Sequence, residues 1–186
     1  MPFFSPHLTP AAEGGLRMFT AKTIAMQKIT PFLWFNNNAE EAVQFYTSLF
    51  PDTKVLKMVR YTEAGPGPAG SVMTAVFELQ GQQFIALNGG PVYTFTEAIS
   101  FVINCESQEE VDTLWEKLSE GGEKGRCGWL KDRFGLSWQV VPTALPSLLS
   151  RGDAEGTKRV MQAMLKMNKI DINQLEEAYN STPQNA

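Results

Sequence analysis

Short apolar runs and a helical pattern follow one another in the same order twice along residues 28–142. In the first half, the apolar and aromatic run ITPFLWFN predicts a buried strand, and NAEEAVQFYTSLF, residues 38–50, places its apolar side chains on one helical face. Three further strands are predicted over TKVLKMVRYTE, SVMTAVFELQ and QQFIALNGG, and a hairpin at Gly81 joins the last two. The first half is therefore predicted to run strand, helix, strand, strand, strand.

The second half repeats this order. AISFVINC predicts another buried strand, and SQEEVDTLWEKLS, residues 107–119, predicts a second amphipathic helix. Two short strands are predicted over GRCGWLKDRFG and LSWQVVP, and a brief third one is predicted near residues 123–126. Because one such half is too small to bury the face of its own sheet, we interpret the pattern as a duplicated βαβββ unit. The expected units are residues 28–95 and 96–143.

The two predicted helices also agree in their first turns. Asn38 and Ser107, which lie 69 positions apart, are both good N-cap residues. A glutamate follows each of them three residues later, at Glu41 and Glu110, so both helices are predicted to begin with a capping box. This agreement favours duplication over a chance similarity between two amphipathic helices.

The two ends of the chain differ from the duplicated region, residues 27–143. Residues 1–26 show no clear period and are predicted to be a disordered extension without the compact apolar run of a secretory signal. Residues 144–186 predict a helical C-terminal extension. Its apolar side chains favour plain packing, and the external position of their face also suits contact with a partner subunit. The apolar side chains of this face are Val160, Met161, Met164, Leu165 and Met167.

Composition limits the classes of function. The net charge is −4 at pH 7 and no stretch is strongly basic, which argues against nucleic acid or an anionic membrane as a partner. The apolar runs are too short to span a bilayer. Cys105 and Cys127 lack the spacing of a disulfide framework and are predicted to be free thiols of a cytoplasmic protein. The single histidine is His7, in the N-terminal extension.

Three motifs, in order along the chain, resemble a known family. ITPFLWFNNNAEEAVQFYTSLFP, AISFVINCESQEEVDTLWEKLSEGG and CGWLKDRFGLSWQVVP are similar to the PhnB-like branch of the vicinal-oxygen-chelate superfamily. Many members of that branch carry the label 3-demethylubiquinone-9 3-methyltransferase. The resemblance covers about residues 28–170. It implies a glyoxalase-like α+β fold, in which two tandem βαβββ units form an open, cup-shaped mixed sheet, and it also implies a homodimer with a divalent metal on the floor of the cup.

The ligand positions that the resemblance implies carry few metal donors in this chain. In strand order they fall on Pro31, on Ala86 with Asn88 next on the same face, on Ala98 or Ser100, and on Gln139. Of these, Gln139 offers a plausible donor, and an amide is a poor ligand beside imidazole and carboxylate. We therefore expect no conventional metal site and no bound cofactor, with a divalent ion as the alternative.

Alternation along the strands predicts which side chains line the cup. The expected lining is apolar and aromatic with a few amides and hydroxyls, as in many small-molecule pockets. The candidate ligand-binding residues are Leu33, Phe35, Asn88, Ser100, Cys127, Trp129 and Gln139. Plain packing is the alternative for Cys127 and Trp129, and hydrogen bonding to the backbone is the alternative for Asn88 and Gln139. No catalytic residue is assigned, because no general acid–base pair stands out.

These expectations favour a cytoplasmic homodimer that binds a small, partly apolar molecule without a conventional metal site. One alternative is a metal-dependent lyase, transferase or dioxygenase-type enzyme of the same superfamily. A methyltransferase, as the family label says, is less well supported, because a predicted strand follows the Gly-rich segment AGPGPAG where such a site needs a helix. The remaining alternative is a non-catalytic protein that captures a partner through its Met-rich C-terminal helix.

Overall fold

The computed structural model describes residues 27–181, so the predicted N-terminal extension and His7 lie outside the described residues. The first unit contains β1 (Phe32–Phe35), α1 (Ala39–Leu49), β2 (Thr53–Arg60), β3 (Val72–Leu79) and β4 (Gln82–Asn88). The second unit contains β5 (Ser100–Cys105), α2 (Gln108–Ser119), β6 (Glu123–Lys124), β7 (Trp129–Lys131) and β8 (Ser137–Pro142). The C-terminal extension contains α3 (Ala144–Leu149), α4 (Ala154–Met164) and α5 (Ile172–Asn180).

Each unit folds into its own four-stranded mixed sheet. The strand orders are β1-β4-β3-β2 and β5-β8-β7-β6, so the two sheets have the same topology. The first and last strands of each unit pair in parallel, whereas the other neighbouring strands pair antiparallel. The prediction of two tandem βαβββ units in an α+β fold, followed by C-terminal helices, is confirmed. The two sheets remain separate and do not close into one barrel.

The two main helices begin differently. In α2, the Ser107 hydroxyl accepts a hydrogen bond from Glu110 N at 3.2 Å, and the Glu110 carboxylate accepts one from the backbone just before the cap. In α1, the Asn38 side chain makes no capping hydrogen bond, so the predicted capping box is wrong there. The Asn88 side chain accepts a hydrogen bond from Ala39 N at 2.8 Å instead, and this bond ties α1 to the end of β4.

Each helix covers one face of its own sheet. In β1, Leu33 and Phe35 lie in the core on the α1 side, whereas Phe32 on the opposite face is 54% exposed. In β5, Cys105 is buried on the α2 side, and Val102 on the opposite face is 52% exposed. Because alternate residues of a strand lie on opposite faces, these exposures identify one open face on each sheet.

The two helix-covered faces are turned toward each other and share one core. Tyr46 of α1 contacts Trp138 of β8 with 5.5 Å between ring centroids, and Phe84 of β4 meets Phe101 of β5 at 5.2 Å. The Tyr46 hydroxyl also donates a 2.7 Å hydrogen bond to the buried carboxylate of Asp132, in the turn between β7 and β8. The open faces of the two sheets therefore lie on the outside of the chain and point away from each other.

The C-terminal helices form a second, smaller core beside the second unit. We call residues 144–181 the C-terminal cap. Its three helices contact one another around buried side chains that include Val160 and Met167. The predicted apolar face of α4 is only partly used for this packing, since Met161 and Leu165 are 38% and 55% exposed.

Candidate functional site

The two outward sheet faces are the candidate ligand-binding surfaces. We call the surface of the first sheet open face A, and it presents Phe32, Trp34, Val76, Ile85 and Leu87. We call the surface of the second sheet open face B, and it presents Ser100, Val102, Trp129, Lys131 and Gln139. Open face A is apolar and aromatic, whereas open face B combines an indole with an amide, a hydroxyl and an ammonium group.

Strand register arranges open face B in two transverse rows. The first row, across β5, β8 and β7, consists of Ser100, Ser137 and Lys131. The second row consists of Val102, Gln139 and Trp129. The Gln139 amide donates a 2.9 Å hydrogen bond to the Ser100 hydroxyl and so links the rows. Polar groups thus lie next to an aromatic ring on one surface, which is a common arrangement where small molecules bind.

The first row carries an ion pair and an unpartnered hydroxyl. Lys131 Nζ lies 2.5 Å from a carboxylate oxygen of Glu97, in the segment that leads into β5. This hydrogen bond raises the pKa of Lys131 and lowers the pKa of Glu97. The Ser137 side chain is buried, and its hydroxyl is the one buried side-chain polar group within residues 27–181 without a hydrogen-bond partner. Such a hydroxyl keeps the capacity for a further hydrogen bond.

Trp129 provides the aromatic surface of open face B. Its neighbour Leu130 is buried in the core, so alternation directs the Trp129 ring toward the open side. The indole is half-buried, and among the described residues it pairs with no other aromatic ring. Trp34 and Trp138, by contrast, are each paired with a neighbouring ring. A half-buried indole without a ring partner is free to stack on a bound molecule.

Open face A supplies mainly apolar surface. Phe32 is 54% exposed, and the Trp34 ring is fixed by a 2.8 Å hydrogen bond from its Nε1 to Gly90 O. Tyr93, in the segment after β4, meets the Trp34 ring edge-on with 5.0 Å between centroids, and it is itself 63% exposed. This segment therefore extends the apolar surface beyond the edge of β1.

A small cavity adjoins open face B along the free edge of β5. Its volume is about 290 Å³, and its lining includes Val102 together with aromatic side chains from both units, among them Phe50, Phe84 and Trp138. Pockets for drug-sized ligands typically measure roughly 300–1,000 Å³. One chain therefore offers only a shallow hollow beside this face.

The structure corrects the predicted orientation of three candidate residues in the first unit. Leu33 and Phe35 are 6% and 2% exposed, and they lie in the core on the α1 side instead of lining an open face. The Asn88 amide lies on that side as well. It accepts its hydrogen bond from Ala39 N and donates one to Val72 O at 2.9 Å, so both of its polar groups are occupied.

A one-residue difference between the units explains this error. Three residues, 36–38, separate β1 from α1, whereas two residues, 106–107, separate β5 from α2. An alignment through the helices therefore places the strands of the two units one residue out of register. A shift of one residue moves every side chain of a strand to the opposite face. Phe32 and Trp34, which the prediction missed, consequently take the outward positions.

The candidate residues of the second unit fall into two groups. Ser100, Trp129 and Gln139 come together on open face B, and their role in ligand binding stays a prediction. Cys127 lies just before β7, and its thiol contacts Met164 O at 3.6 Å, so it borders the C-terminal cap. The other cysteine, Cys105, is buried in the core, and burial raises its pKa to about 12, which leaves no reactive thiolate at neutral pH.

The side chains of the open faces do not match the donor set of a divalent metal. On the open faces, the paired first and last strands of the two units carry Trp34, Leu87, Val102 and Gln139, which supply a single amide. Across residues 27–181, no three His, Cys, Asp or Glu side chains are grouped so that they could hold a metal ion. Imidazole, thiolate and carboxylate groups are the usual ligands of such ions.

Asp132 has a structural role that the sequence does not reveal. Its carboxylate is 2% exposed and accepts hydrogen bonds from the Tyr46 hydroxyl and from Trp138 Nε1 at 2.7 and 2.9 Å. The backbone N–H groups of Phe134 and Leu136 donate to it as well. Burial raises the pKa of Asp132, although these four hydrogen bonds oppose the shift. Asp132 therefore joins the two units and takes no part in either open face.

The fold and its two open faces place the chain in a class of proteins. The chain consists of two βαβββ units, each with a parallel pair of first and last strands and a helix on one side of the sheet. This is the vicinal-oxygen-chelate architecture, and the chain is a member of that superfamily. A family model described as 3-demethylubiquinone-9 3-methyltransferase matches residues 27–141, and the chain belongs to this family.

The chain is also similar to several solved structures. The PhnB protein from Bacillus cereus is 41% identical with a TM-score of 0.60, and the match covers 63% of this chain and 100% of that one. Protein PA1353 from Pseudomonas aeruginosa is 25% identical with a TM-score of 0.52, over 63% of this chain and 98% of its own. The fosfomycin resistance protein FosX from Listeria monocytogenes is 14% identical with a TM-score of 0.43, over 64% and 94% of the two chains. No curated protein matches the chain.

Proposed function

We propose that the protein binds a small, partly apolar molecule in a cup that two chains form together, with open face A of one chain opposite open face B of its partner. The outward direction of both faces is the observation that carries this proposal. The shared core and the bond from Tyr46 to Asp132 hold the helix-covered faces inward. Open faces A and B of one chain therefore cannot close over a ligand without unpacking that core.

A second copy of the chain suits these surfaces. Each chain carries one face A and one face B, so a twofold axis that sets A against the partner's B also sets B against the partner's A. Such an assembly closes at two chains. Exposed apolar side chains lie on and beside these faces, and burying them favours association by about 25 cal/mol per Å². They include Phe32, Val92, Tyr93, Ile99 and Val102.

The chemistry of the two faces indicates the kind of ligand. Open face A offers aromatic and aliphatic surface, and open face B offers the Trp129 ring beside the Gln139 amide and the Ser100 hydroxyl. An apolar body with one or two hydrogen-bonding groups matches this combination. Lys131 on open face B is already committed to its ion pair with Glu97, so binding by itself is the function that we propose.

A ligand screen and a mass measurement test the proposal. Light scattering should give twice the chain mass of 20.7 kDa. A thermal-shift screen of metabolites and antibiotics should find compounds that raise the melting temperature of the wild type and raise that of W129A much less. Met161→Ala, on the exposed side of α4, is the matched control and should keep the full shift. A monomer, or a screen without a single saturable binder, would refute the proposal.

A metal-dependent enzyme of the same superfamily is the main alternative. The sequence offered Gln139 and Asn88 as donors for such a site, but Asn88 lies on the α1 side with both polar groups bonded. Elemental analysis after extensive dialysis decides the question. We expect less than a stoichiometric amount of nickel, zinc, manganese or iron, and one tightly held ion per chain would favour the enzyme.

Methyl transfer, which the family description names, receives little support from the chain itself. The Gly-rich segment, residues 64–70, leads into β3 and not into a helix, so it does not form the strand–turn–helix that cradles such a cofactor. Calorimetry with S-adenosylmethionine should show no heat of binding. A saturable signal at one site per chain would overturn this view.

We also propose a cytoplasmic location. Cys105 and Cys127 are both free, as is usual for thiols in a reducing compartment. None of the helices within residues 27–181 has the length and apolar content of a membrane span. Cell fractionation should recover the protein with cytoplasmic markers, and recovery with an oxidising compartment would contradict the proposal.

A further inference from the structure

The C-terminal cap docks on the two residues that precede Trp129. The backbone N–H of Cys127 donates to Met167 O at 2.8 Å, and that of Gly128 donates to Asn168 O at 2.7 Å. Both residues have positive φ angles, 56° and 82°. Such a conformation is uncommon for a residue with a side chain and persists where its surroundings hold it. The cap supplies those surroundings here, because its carbonyl groups accept both N–H groups.

Gly128 lies between the cap and β8, where there is no room for a side chain. Its carbonyl oxygen accepts a 2.8 Å hydrogen bond from Val140 N, while its N–H is bonded to the cap. A Cβ atom on Gly128 would lie 2.6 Å from Val140 O and 3.1 Å from the side chain of Ile170, which is fully buried in the cap. The position of the cap and the path of the chain into β7 are therefore fixed together.

Gln108, the first residue of α2, holds the same cap segment from the other side. Its amide nitrogen donates to Ile170 O at 3.1 Å, and its amide oxygen accepts from Ile172 N at 2.8 Å. An ion pair between Lys169 and Asp112, 2.7 Å long, lies beside these bonds. One side-chain amide thus makes two backbone hydrogen bonds, as a neighbouring strand would.

Trp129 is hydrogen-bonded to the turn before β7, which the cap holds in place. Trp129 N donates to Arg126 O at 3.0 Å and Trp129 O accepts from Gly125 N at 2.8 Å, so Trp129 is bonded to both ends of the turn that the cap holds. The residue then pairs in register with Gln139 on open face B. A change in the turn would therefore change where the indole lies relative to that amide.

The cap lies outside the residues that the family model matches. The family match ends at residue 141. The Bacillus cereus PhnB protein is covered completely by a match that spans 63% of this chain. The contacts to Cys127 and Gly128 are therefore made by residues that lie beyond the family match.

We propose that the C-terminal cap is a positioning element for open face B: it fixes the turn at Cys127 and Gly128 and thereby sets the place of the Trp129 indole beside Gln139. Its consequence for ligand binding rests on the function proposed above. The placement of the indole itself does not, and can be measured without any ligand.

Gln108→Ala tests the placement directly. Protein labelled with 5-fluorotryptophan gives one ¹⁹F resonance for each of its four tryptophans, and W129F identifies that of Trp129. In Q108A, the Trp129 resonance should shift or broaden while that of Trp34 stays in place, and the amides of Cys127 and Gly128 should exchange about tenfold faster. Gln44→Ala, on the exposed side of α1, is the control and should change none of these.

A second, milder variant distinguishes a local displacement of Trp129 from a general loss of folding. Lys169→Met removes the ion pair to Asp112 and should move the same resonance in the same direction by a smaller amount. Circular dichroism should show an unchanged helix content in both variants. An unmoved Trp129 resonance together with unchanged exchange at Cys127 and Gly128 in Q108A would overturn the inference.

Binding of the dye 8-anilino-1-naphthalenesulfonate separates this inference from the proposed function. W129A should weaken dye binding about fivefold, and Q108A should produce part of that loss whereas Q44A should not. If the dye binds W129A as tightly as it binds the wild type, the proposed role of open face B fails. The positioning role is then still decided by the ¹⁹F resonance of Trp129. If W129A weakens binding but Q108A does not, the positioning role fails and the proposed function stands.

Discussion

Removal of the Tyr46 hydroxyl probes the bond that holds the two units with their helix-covered faces inward. Tyr46 is fully buried, and its hydroxyl donates to the Asp132 carboxylate at 2.7 Å. Tyr46→Phe leaves that buried carboxylate with three donors instead of four. A hydrogen bond to a charged group contributes roughly 1.5–3 kcal/mol, so the free energy of unfolding should fall by about 2 kcal/mol. For a domain of this size that corresponds to a melting temperature lower by about 4–8 °C.

The loss should depend on pH in a definite direction. Burial raises the pKa of Asp132 above its ordinary value, and loss of a donor to the charged form raises it further in Y46F. The cost of the substitution is therefore full above the folded-state pKa of Asp132, where the carboxylate is ionised. It should shrink as the pH falls through the raised folded-state pKa, because the protonated carboxyl group needs fewer donors.

Urea unfolding of the wild type and of Y46F between neutral and acidic pH measures both effects. Tyr61→Phe is the matched control, because the Tyr61 hydroxyl donates to a neutral acceptor, Asn88 O, at 2.8 Å. That control should cost about 1 kcal/mol at every pH. If Y46F costs no more than Y61F, or if its cost is the same at all pH values, the assignment of an ionised carboxylate as the link between the units is wrong.

Two further predictions concern the cysteines and the glycines. At about pH 8 a thiol reagent should label Cys127 in the folded protein. It should label Cys105 only after unfolding, because burial raises the pKa of that thiol to about 12. Equal labelling rates for the two cysteines would contradict this prediction. Gly128→Ala should lower the free energy of unfolding by roughly 3 kcal/mol or more, because its Cβ would lie 2.6 Å from Val140 O at a φ of 82°. Gly70→Ala, at a φ of 84° with nothing within 4 Å, should cost only about 1–2 kcal/mol in the same urea titration, and equal losses would refute the argument.

The repeated order of elements could be predicted from the sequence because it depends on local patterns. Helical spacing, strand alternation and turn residues each act over a few residues, so both βαβββ units and the C-terminal helices were recognisable. The cap of α1 was the exception. Its first free N–H is bonded to Asn88, 49 positions away from Ala39, and no local pattern indicates such a partner.

The candidate site was predictable only where the register was right. Ser100, Trp129 and Gln139 are predicted to line the cup, and the structure places them together on open face B. Leu33 and Phe35 were assigned to the wrong face, because a single additional residue in the connection after β1 is invisible to a pattern that repeats every two residues.

Contacts between distant parts of the chain could not be predicted at all. The bond from Tyr46 to Asp132 spans 86 positions, and the amide of Gln108 reaches the backbone of Ile170 across 62. Such pairs depend on how the two sheets and the cap pack together. That packing is determined by the whole core and not by any one segment.

The pairing of open face A with the partner's open face B is tested most directly by mixing two variants. Phe32→Glu places a charge on face A and Val102→Lys places the opposite charge on face B, and both positions are about half exposed in one chain. Each variant alone buries its charge in both interfaces of a dimer, so light scattering should find each one mainly as a monomer. An equimolar mixture should form a dimer, because one interface is then unaltered and the other joins opposite charges. Two variants that stay monomeric after mixing, or a V102K variant that dimerises alone, would contradict a cup shared between the two chains.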